Sequence, residues 1–399
     1  MKSEKSRIVV LGSTGSIGVN TLDVIERHPD RFEVFALTAS TSVDAMLAQC
    51  ARHQPAFAVM ASEAHGLQLE TQCRDAGFRT RVVWGAQAIE MVAGHEQADV
   101  VMAAIVGAAG LAPCLAAARA GKRLLLANKE ALVVGGQLFM DTVAAGGATL
   151  LPIDSEHSAV FQSLPQDPKD WSSRIDKIIL TASGGPFRSR DPLTLRDVTP
   201  EQACAHPNWV MGRKISVDSA TMMNKALEVI EARFLFGVKP EQIQVVIHPQ
   251  SVIHSMVQYV DNSVVAQLGT PDMRGPIAYG LSWPERITSG ATPLNFADMA
   301  GLTFEEIGSE EHRRRFPGID LAWAALKAPA GTTAVLNAAN EMAVAAFLGR
   351  KIRYDQIHHV NLEALGAVVP QAPNSLDDLL SLDRLSRDIA EQAIVRMRG

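Results

Sequence analysis

The chain has 399 residues, of which 47% are hydrophobic and 20% charged, and it carries a formal net charge of -6 with an isoelectric point near 6.0. This length and composition fit a soluble globular protein with a large core, divided into about two or three domains. The negative net charge excludes a global attraction to nucleic acid or anionic membrane, although a local basic cluster can still bind a small phosphorylated molecule.

The four cysteines and the N-terminal segment indicate the compartment. Cys50, Cys73, Cys114 and Cys204 lie far apart without a C-x-x-C pair, so neither a zinc knuckle nor a disulfide framework is indicated. Residues 1–7 lack the apolar core of a signal peptide. We therefore expect the protein to work in a reducing cytoplasm.

Strand and helix patterns alternate along the first part of the chain. β-branched runs are followed by amphipathic or alanine-rich runs, which is typical of βαβ units around a parallel sheet. The sequence therefore predicts a doubly wound α/β domain over residues 1–153. Its predicted strands and helices include residues 7–11, 20–27, 32–37, 43–50, 57–60 and 124–127.

A glycine-rich segment, residues 12–18, follows the first predicted strand with the spacing G-x-x-G-x-x-G. A strand, a glycine turn and a helix in this order direct backbone N–H groups at an anion, and the pyrophosphate of a dinucleotide is the natural ligand. The commonest spacing is G-x-G-x-x-G, so a plain tight turn is the alternative. The position directly after the first strand favours cofactor binding.

The end of the second predicted strand bears on the choice of cofactor. NAD-specific proteins place a carboxylate there for the ribose hydroxyl, whereas this chain reads Ser40-Thr41-Ser42. Hydroxyls can bind a 2′-phosphate and no acid repels it, so NADPH is favoured over NADH. No Arg or Lys strengthens that preference.

Residues 100–118 contain no charge and are nearly long enough to span a bilayer. However, Gly107, Gly110 and Pro113 interrupt the segment. We predict a buried strand over residues 100–106 and a helix over residues 113–120.

Two acids one residue apart, Asp154 and Glu156, end the apolar run 149–153. In an extended segment both side chains point the same way, and a bound cation would relieve their repulsion. Oxygen ligands without cysteine suit Mg2+ or Mn2+. A helix cap formed by Asp154 or Ser155 is the alternative, and these residues alone leave both interpretations open.

After residue 153 the pattern changes. Mixed strands at 177–181, 244–247 and 263–268 and a helix at 220–236 predict an α+β catalytic domain over residues 154–288. Residues 289–310 resemble a linker, and residues 311–399 predict a C-terminal helical domain. Its helices are predicted at 320–327, 332–348 and 375–398, the last with Ser375 as N-cap before an acidic turn.

Residues 184–212 form a long segment punctuated by Gly and Pro and carrying Trp209, which is typical of a mobile flap over a substrate. A passive or disordered surface loop is the alternative. Ser183, His206, Ser219, Asn224 and Lys225 offer the hydroxyl, imidazole, amide and ammonium donors that a phosphate monoester needs.

Glu228 lies four residues after Asn224, on the same face of the predicted helix. Alone it is expected to be a solvated helix residue. Its interest is that it offers a third oxygen ligand to join Asp154 and Glu156.

Together these motifs closely resemble the 1-deoxy-D-xylulose 5-phosphate reductoisomerase family. The resemblance runs over nearly the whole chain in the order of the family. The matching segments are residues 12–18, 102–107, 126–130, 154–157, 183–187, 206–209, 211–225 and 248–251.

The resemblance implies an enzyme that uses NADPH and Mg2+ or Mn2+, with Co2+ as a further candidate, to make 2-C-methyl-D-erythritol 4-phosphate for isoprenoid precursors. It also implies a Rossmann-like domain, a catalytic domain with a flexible flap, a C-terminal helical domain and a homodimer. The resemblance further implies roles for individual residues. The implied metal ligands are Asp154, Glu156 and Glu228. The implied substrate and catalytic residues are Lys129, Ser155, Glu156, Ser183, His206, Trp209, Ser219, Asn224, Lys225 and Glu228. The implied cofactor contacts are Thr14, Gly15, Ser16, Ile17, Asn128, Glu130 and Gly212. Ser40, Thr41 and Ser42 occupy the position that binds the 2′-phosphate. Their sequence departs from the Gly-Lys/Arg-Asn that is usual in the family at this position.

Two other functions compete with this one. A metal-independent NADP oxidoreductase, such as a semialdehyde or hydroxy-acid dehydrogenase, would have a similar nucleotide loop. Semialdehyde dehydrogenases need a nucleophilic cysteine, and no cysteine here stands beside a plausible base. A non-catalytic NADP-binding sensor would not need the three acids together with a phosphate site.

Overall fold

The computed structural model describes residues 5–209, 211–299 and 301–397. These residues fall into two compact units. The first contains the chain up to Ala131, Phe139–Ser158 and Asp272–Thr292, and the second contains Leu132–Leu138, Ala159–Pro271 and the chain from Pro293 onward. The finer division into a cofactor domain, a catalytic domain, a linker and a C-terminal domain stays a prediction.

The strands lie in two sheets. They are β1 (Ser6–Leu11), β2 (Phe32–Ala39), β3 (Phe57–Met60), β4 (Arg81–Trp84), β5 (Val100–Ala103), β6 (Arg123–Leu126), β7 (Thr149–Pro152), β8 (Ile175–Ala182), β9 (Ile243–Ile247), β10 (Ile253–Tyr259), β11 (Val264–Leu268) and β12 (Glu305–Glu306).

The helices follow the chain in the same way. They are α1 (Ser16–Arg27), α2 (Val43–His53), α3 (Glu63–Asp75), α4 (Ala86–Ala93), α5 (Leu111–Arg119), α6 (Lys129–Gly146), α7 (Ser155–Ser163), α8 (Trp171–Arg174), α9 (Pro200–Ala203), α10 (Arg213–Ala220), α11 (Met223–Phe236), α12 (Arg274–Ser282), α13 (Glu310–Arg315), α14 (Leu321–Lys327), α15 (Thr332–Leu348), α16 (Gln356–Ala367) and α17 (Leu376–Met397). None of the described helices is both long and apolar enough to cross a bilayer.

The first unit contains a seven-stranded parallel sheet in the order β4-β3-β2-β1-β5-β6-β7. The strand order reverses between β1 and β5, so this is a doubly wound sheet with its switch point there, and the predicted fold class is confirmed. The strands are apolar on both faces, as expected for a parallel sheet covered by helices.

The predicted strand over residues 100–106 is wrong in its second half. β5 ends at Ala103, and the chain then turns through Gly107, whose φ is +81°. The turn lies against Gly12, where an added Cβ would be only 2.7 Å from the carbonyl oxygen of Ala104. Apolar composition alone therefore overestimated the strand.

The second unit contains a mixed five-stranded sheet in the order β11-β10-β8-β9-β12. Only β8 and β9 run parallel, and the other pairs are antiparallel. The predicted linker contributes β12, which pairs with β9 through Glu305 and Glu306.

Two apolar clusters of the second unit share α15. Leu336 packs into the cluster around α11 and β8, whereas Val335 and Phe347 pack with α16 and α17. Ser375 caps the last helix as predicted, because its Oγ accepts the N–H of Asp378 at 3.1 Å. The predicted end of that helix at residue 398 lies outside the described residues.

The predicted helix over residues 220–236 is wrong at its start. α10 ends at Ala220 and α11 begins at Met223, and Met222 between them has a left-handed backbone with φ of +61°. Glycine or proline would have marked such a break, but the sequence there is Ala-Thr-Met-Met. Burial of the Met222 side chain in the core accompanies this unfavourable conformation.

Candidate active site

The glycine loop lies at the switch point of the seven-stranded sheet, where doubly wound folds bind their ligands. Gly12 has φ of +80°, and an added Cβ on Gly18 would lie 2.4 Å from the carbonyl oxygen of Gly12. For Gly15 the nearest atom would be 3.4 Å away. Two of the three glycines are therefore required by close backbone packing, whereas Gly15 lies in an open position.

Backbone N–H groups are available where α1 begins. Gly15 is its N-cap and Ser16 its first residue, and both are exposed. The first amides of a helix have no acceptor within the helix, so those of residues 16–18 can bind an anion. This is the arrangement that a dinucleotide pyrophosphate needs.

Two residues that the sequence did not indicate hold this loop in shape. Thr38 Oγ1 accepts the N–H of Gly12 at 2.9 Å, and the Thr38 carbonyl accepts the N–H of Ser13 at 2.8 Å. Ser13 Oγ donates to Gln49 Oε1 at 2.6 Å, and Gln49 Nε2 donates to the Ser13 carbonyl at 2.9 Å. Their contacts span 25 residues or more, so a local motif cannot reveal them.

The predicted 2′-phosphate position follows β2. Ser40, Thr41 and Ser42 are exposed, and α2 begins directly after them. The three hydroxyls thus lie at the same edge of the sheet as the glycine loop, since both follow the carboxyl ends of neighbouring parallel strands.

The carboxyl ends of β6 and β7 carry further predicted residues. Lys129 begins α6 after its N-cap Asn128, and the Lys129 Nζ lies 2.5 Å from Asp154 Oδ2, which follows β7. The Asn128 side chain accepts the N–H of Ala131 at 2.7 Å and donates to the Gly107 carbonyl at 3.0 Å. Asn128 therefore joins the turns after β5 and β6, and it places Lys129 and the buried Glu130 at this edge.

The predicted extended geometry of the two acids is wrong. α7 begins at Ser155, so Glu156 lies in the first helical turn, and the N–H of Ser158 donates to the Asp154 carbonyl at 2.8 Å. Asp154 therefore stands directly before a helix, at the position that the helix-cap alternative expected. Ser155 Oγ donates to Glu156 Oε2 at 2.6 Å.

The Asp154 carboxylate has an incomplete set of partners. Its buried Oδ2 has no aligned hydrogen bond among the described residues, and its contact with Lys129 is an ion pair without that alignment. Buried carboxylate oxygens are normally satisfied, so this oxygen is well suited to a cation.

In the second unit, Ser183 follows β8 and accepts two hydrogen bonds. His206 Nδ1 accepts the N–H groups of Asn208 and Trp209 at 3.2 and 3.0 Å, so the neutral ring carries its proton on Nε2. That N–H donates to Ser183 Oγ at 2.9 Å, and the N–H of Gly185 donates to the same oxygen at 3.1 Å. The hydroxyl proton of Ser183 is therefore directed to a further acceptor.

The turn after Ser183 is in contact with the end of α10. Gly185 has φ of +64°, and an added Cβ would lie 2.7 Å from the carbonyl oxygen of Ser219. Two predicted phosphate-binding serines thus stand on segments whose backbones touch.

Glu228 is fully buried on α11, so the expectation of a solvated residue is wrong. Lys225 and Asn224 both donate to its carboxylate, and Lys225 is itself 3% exposed. A carboxylate without solvent would be costly unless it were paired in this way. The sequence predicted the shared face of Asn224 and Glu228 correctly, but not the burial.

Part of the predicted flap has regular structure. A short 3-10 helix covers Pro192–Asp197, and Thr199 and Gln202 form a capping box at α9. Further along, Asn208 Nδ2 donates to the Pro249 carbonyl at 2.7 Å and to Ser251 Oγ at 3.1 Å.

Trp209 and Gly212 complete the predicted set. The rings of Trp209 and His254 have centroids 6.5 Å apart. Gly212 is the exposed N-cap of α10. The flap therefore lies against the segment that follows the carboxyl end of β9.

Sequence profiles of known families cover most of the chain. The profile of 1-deoxy-D-xylulose 5-phosphate reductoisomerase matches residues 8–136, the profile of its C-terminal domain matches residues 150–236, and the profile named DXP reductoisomerase C-terminal domain matches residues 268–389. The chain belongs to the 1-deoxy-D-xylulose 5-phosphate reductoisomerase family.

Individual reductoisomerases are similar to this chain over almost the full length of both proteins. The enzyme of that name from Cupriavidus necator is 57% identical over 98% of both chains, and the one from Pseudomonas aeruginosa PAO1 is 55% identical over 100% of both. A crystal structure of DOX-P reductoisomerase in complex with NADPH, fosmidomycin and magnesium is 43% identical with a TM-score of 0.92, covering 98% of each chain. The reductoisomerase of Zymomonas mobilis in complex with NADPH is 44% identical with a TM-score of 0.90, covering 98% of this chain and 99% of that one.

Proposed function

We propose that the protein converts 1-deoxy-D-xylulose 5-phosphate to 2-C-methyl-D-erythritol 4-phosphate, using NADPH and a divalent cation, as a step of non-mevalonate isoprenoid precursor synthesis. The observation that carries this proposal is the 57% identity to a reductoisomerase over 98% of the chain. The glycine loop, the carboxylates of Asp154, Glu156 and Glu228, and the phosphate donors support it independently of the resemblance.

The cofactor site is assigned to the switch point of the first unit. Thr14, Gly15, Ser16 and Ile17 surround the N-terminus of α1, where amides can bind the pyrophosphate. We assign Ser40–Ser42 to the 2′-phosphate. Asn128, Glu130 and Gly212 complete the proposed contacts. NADPH bound there would supply the hydride for the reduction.

The metal site is assigned to Asp154, Glu156 and Glu228. The residues fit a hard divalent cation such as Mg2+ or Mn2+, because all the donors are carboxylate oxygens, one of which lacks an aligned hydrogen bond while another belongs to a fully buried side chain. A cation held there would act as a Lewis acid toward the carbonyl and adjacent hydroxyl oxygens of the substrate.

The phosphate of the substrate is assigned to Ser183, Ser219, Asn224 and Lys225. Ser183 directs its proton outward because its oxygen already accepts from His206 and Gly185. Lys225 neutralises the charge of Glu228, and Asn224 donates a hydrogen bond to the same carboxylate. If Glu228 turns to a cation, the amide and the ammonium become available to phosphate, so the two ligands should bind cooperatively.

The remaining residues control charge and water. Lys129 places a positive charge beside Asp154, where it can stabilise negative charge that develops on the substrate. Ser155 orients Glu156 through its hydrogen bond. His206 links the flap to Ser183, so closure of the flap and capture of phosphate are coupled, and Trp209 covers the substrate and excludes water.

One assay tests the activity directly. Oxidation of NADPH is followed with 1-deoxy-D-xylulose 5-phosphate, with Mg2+ or Mn2+ and after chelation, and is repeated with NADH. We expect turnover that requires both substrate and cation and is faster with NADPH. Turnover that survives chelation would favour a metal-independent oxidoreductase, and NADPH binding without turnover would favour a non-catalytic sensor.

We further propose that the protein is a cytoplasmic homodimer that binds neither nucleic acid nor membrane. The edge strand β11 supports a dimer, because Val264 and Val265 are 49% and 43% exposed on it. The free thiols of Cys50, Cys73 and Cys114 suit a reducing compartment. Light scattering should give twice the chain mass of 42.9 kDa, and a monomer mass or a membrane fraction would reject these assignments.

A further inference from the structure

Tyr354 lies between α15 and α16, far in sequence from every motif of the proposed site. It is 5% exposed, and its hydroxyl donates to the carbonyl oxygen of Ala220 at 2.6 Å across 134 positions of sequence. Its ring meets that of Phe187 edge to face at a centroid distance of 5.4 Å and that of Phe347 at 5.8 Å. A polar tip and an apolar body are thus both satisfied in the interior.

The contacts with Ala220 and Phe187 each lie close in sequence to a serine assigned to the phosphate. Ala220 is the last residue of α10 and immediately follows Ser219, and carbonyls at a helix end have no donor within the helix. Phe187 lies four residues after Ser183, in the segment that also contains Gly185. Tyr354 therefore holds the α10 end through a hydrogen bond and the turn through ring packing.

The two segments also constrain each other directly. Gly185 approaches the Ser219 carbonyl so closely that a methyl group would not fit. Such packing fixes the contact only if neither segment can slide. The Tyr354 hydroxyl holds the last carbonyl of α10, and the Asn340 side chain holds α10 two residues earlier by donating to Asp218 Oδ1 at 2.8 Å. Burial raises the pKa of Tyr354, so the phenol stays protonated and remains a donor at neutral pH.

We propose that Tyr354 is a positioning residue that holds Ser183 and Ser219 at the spacing needed to bind the phosphate of the substrate. The inference rests on the phosphate site assigned above, and it adds a residue of the C-terminal helical region to that site. Tyr354 acts through its contacts with Ala220 and Phe187 and does not itself touch the substrate.

Tyr354→Phe tests this with the loss of a single oxygen. The chain offers a matched control in Tyr259→Phe, because the Tyr259 hydroxyl donates to the Ser163 carbonyl at 2.7 Å in the same unit, and neither of these residues belongs to the assigned phosphate site. Each variant loses one hydroxyl-to-carbonyl hydrogen bond. The readouts are KM for 1-deoxy-D-xylulose 5-phosphate, KM for NADPH, kcat, and the competitive inhibition constant of inorganic phosphate.

We expect Tyr354→Phe to raise the substrate KM and the phosphate inhibition constant together, by roughly three- to tenfold, the effect of one hydrogen bond. The NADPH KM and kcat should stay close to those of the unaltered protein, and Tyr259→Phe should change none of the four constants. Phe187→Leu, which removes the ring contact, should act in the same direction.

Unchanged phosphate inhibition in Tyr354→Phe would overturn the inference, as would equal changes in the Tyr259→Phe control. A fall in kcat with no change in phosphate inhibition would also reject it, since that pattern reports a general structural loss. If inorganic phosphate does not compete with substrate even in the unaltered protein, the phosphate site itself is wrongly assigned, which separates the two failures.

Discussion

Glu228→Gln is the substitution that most directly tests the proposed chemistry. The side chain is 0% exposed and bound by Lys225 and Asn224. Glutamine keeps an oxygen for Asn224 but removes the charge that balances Lys225. An unpaired buried charge costs about 3–5 kcal/mol, so we expect a loss of unfolding free energy of that order in urea denaturation.

The effect on turnover should be larger than that on folding. Lewis-acid stabilisation contributes several kcal/mol to the transition state, so losing one charged ligand should lower kcat by at least about 100-fold. NADPH affinity, measured by fluorescence titration, should be unchanged, because the glycine loop belongs to a separate part of the chain. Mn2+ affinity, measured by electron paramagnetic resonance, should fall.

Glu341→Gln is the matched control. Glu341 accepts from Asn337 at 3.1 Å, four residues earlier on its helix, and pairs with Arg387 at 2.5 Å, so it too is bound by an amide and a cation. It should lose stability without losing turnover or Mn2+ affinity. Metal-dependent turnover at the original rate in Glu228→Gln would refute the reasoning. An equal loss of turnover in Glu341→Gln would refute it as well.

Three further substitutions have definite expected outcomes. Gly18→Ala should abolish NADPH binding in a titration because its methyl group would clash with the backbone, and retained binding would contradict the steric argument. Trp209→Ala should raise the substrate KM while NADPH affinity stays unchanged, and an unaltered kinetic profile would reject its role in the flap. Arg274 lowers the pKa of Asp272 by hydrogen bonding, so this pair stabilises the fold above the unfolded pKa of about 4 and loses that effect as pH falls through the folded pKa. Arg274→Gln should therefore lower the free energy of unfolding in urea by about 1 kcal/mol at pH 7. The difference in unfolding free energy between the variant and the unaltered protein should narrow below about pH 4, and a difference independent of pH would contradict this explanation.

Local patterns in the sequence were sufficient for the cofactor half of the molecule. Alternating strands and helices, with the glycine loop after β1, predict the doubly wound sheet because each signal lies within a few residues. The same reasoning correctly placed Asp154 and Glu156 directly after an apolar run, most of which forms β7. Their exact geometry was not predictable, since the helical start at Ser155 depends on capping that the apolar run before it does not reveal.

Long-range contacts explain what the sequence could not predict. The burial of Glu228 follows from packing around α11, and the left-handed Met222 has no local marker. Thr38 and Tyr354 act through partners 26 and 134 positions away. Such residues look ordinary in the sequence because their role exists only after folding.

The pairing of β12 with β9 limits how the protein can be shortened. Glu305 and Glu306 come from a stretch whose composition suggests a dispensable connector, yet they complete the edge of the mixed sheet. A truncated chain ending before them would present the bare amide and carbonyl groups of β9 to other molecules, which promotes aggregation. Expression fragments of the second unit should therefore be designed to extend past residue 306.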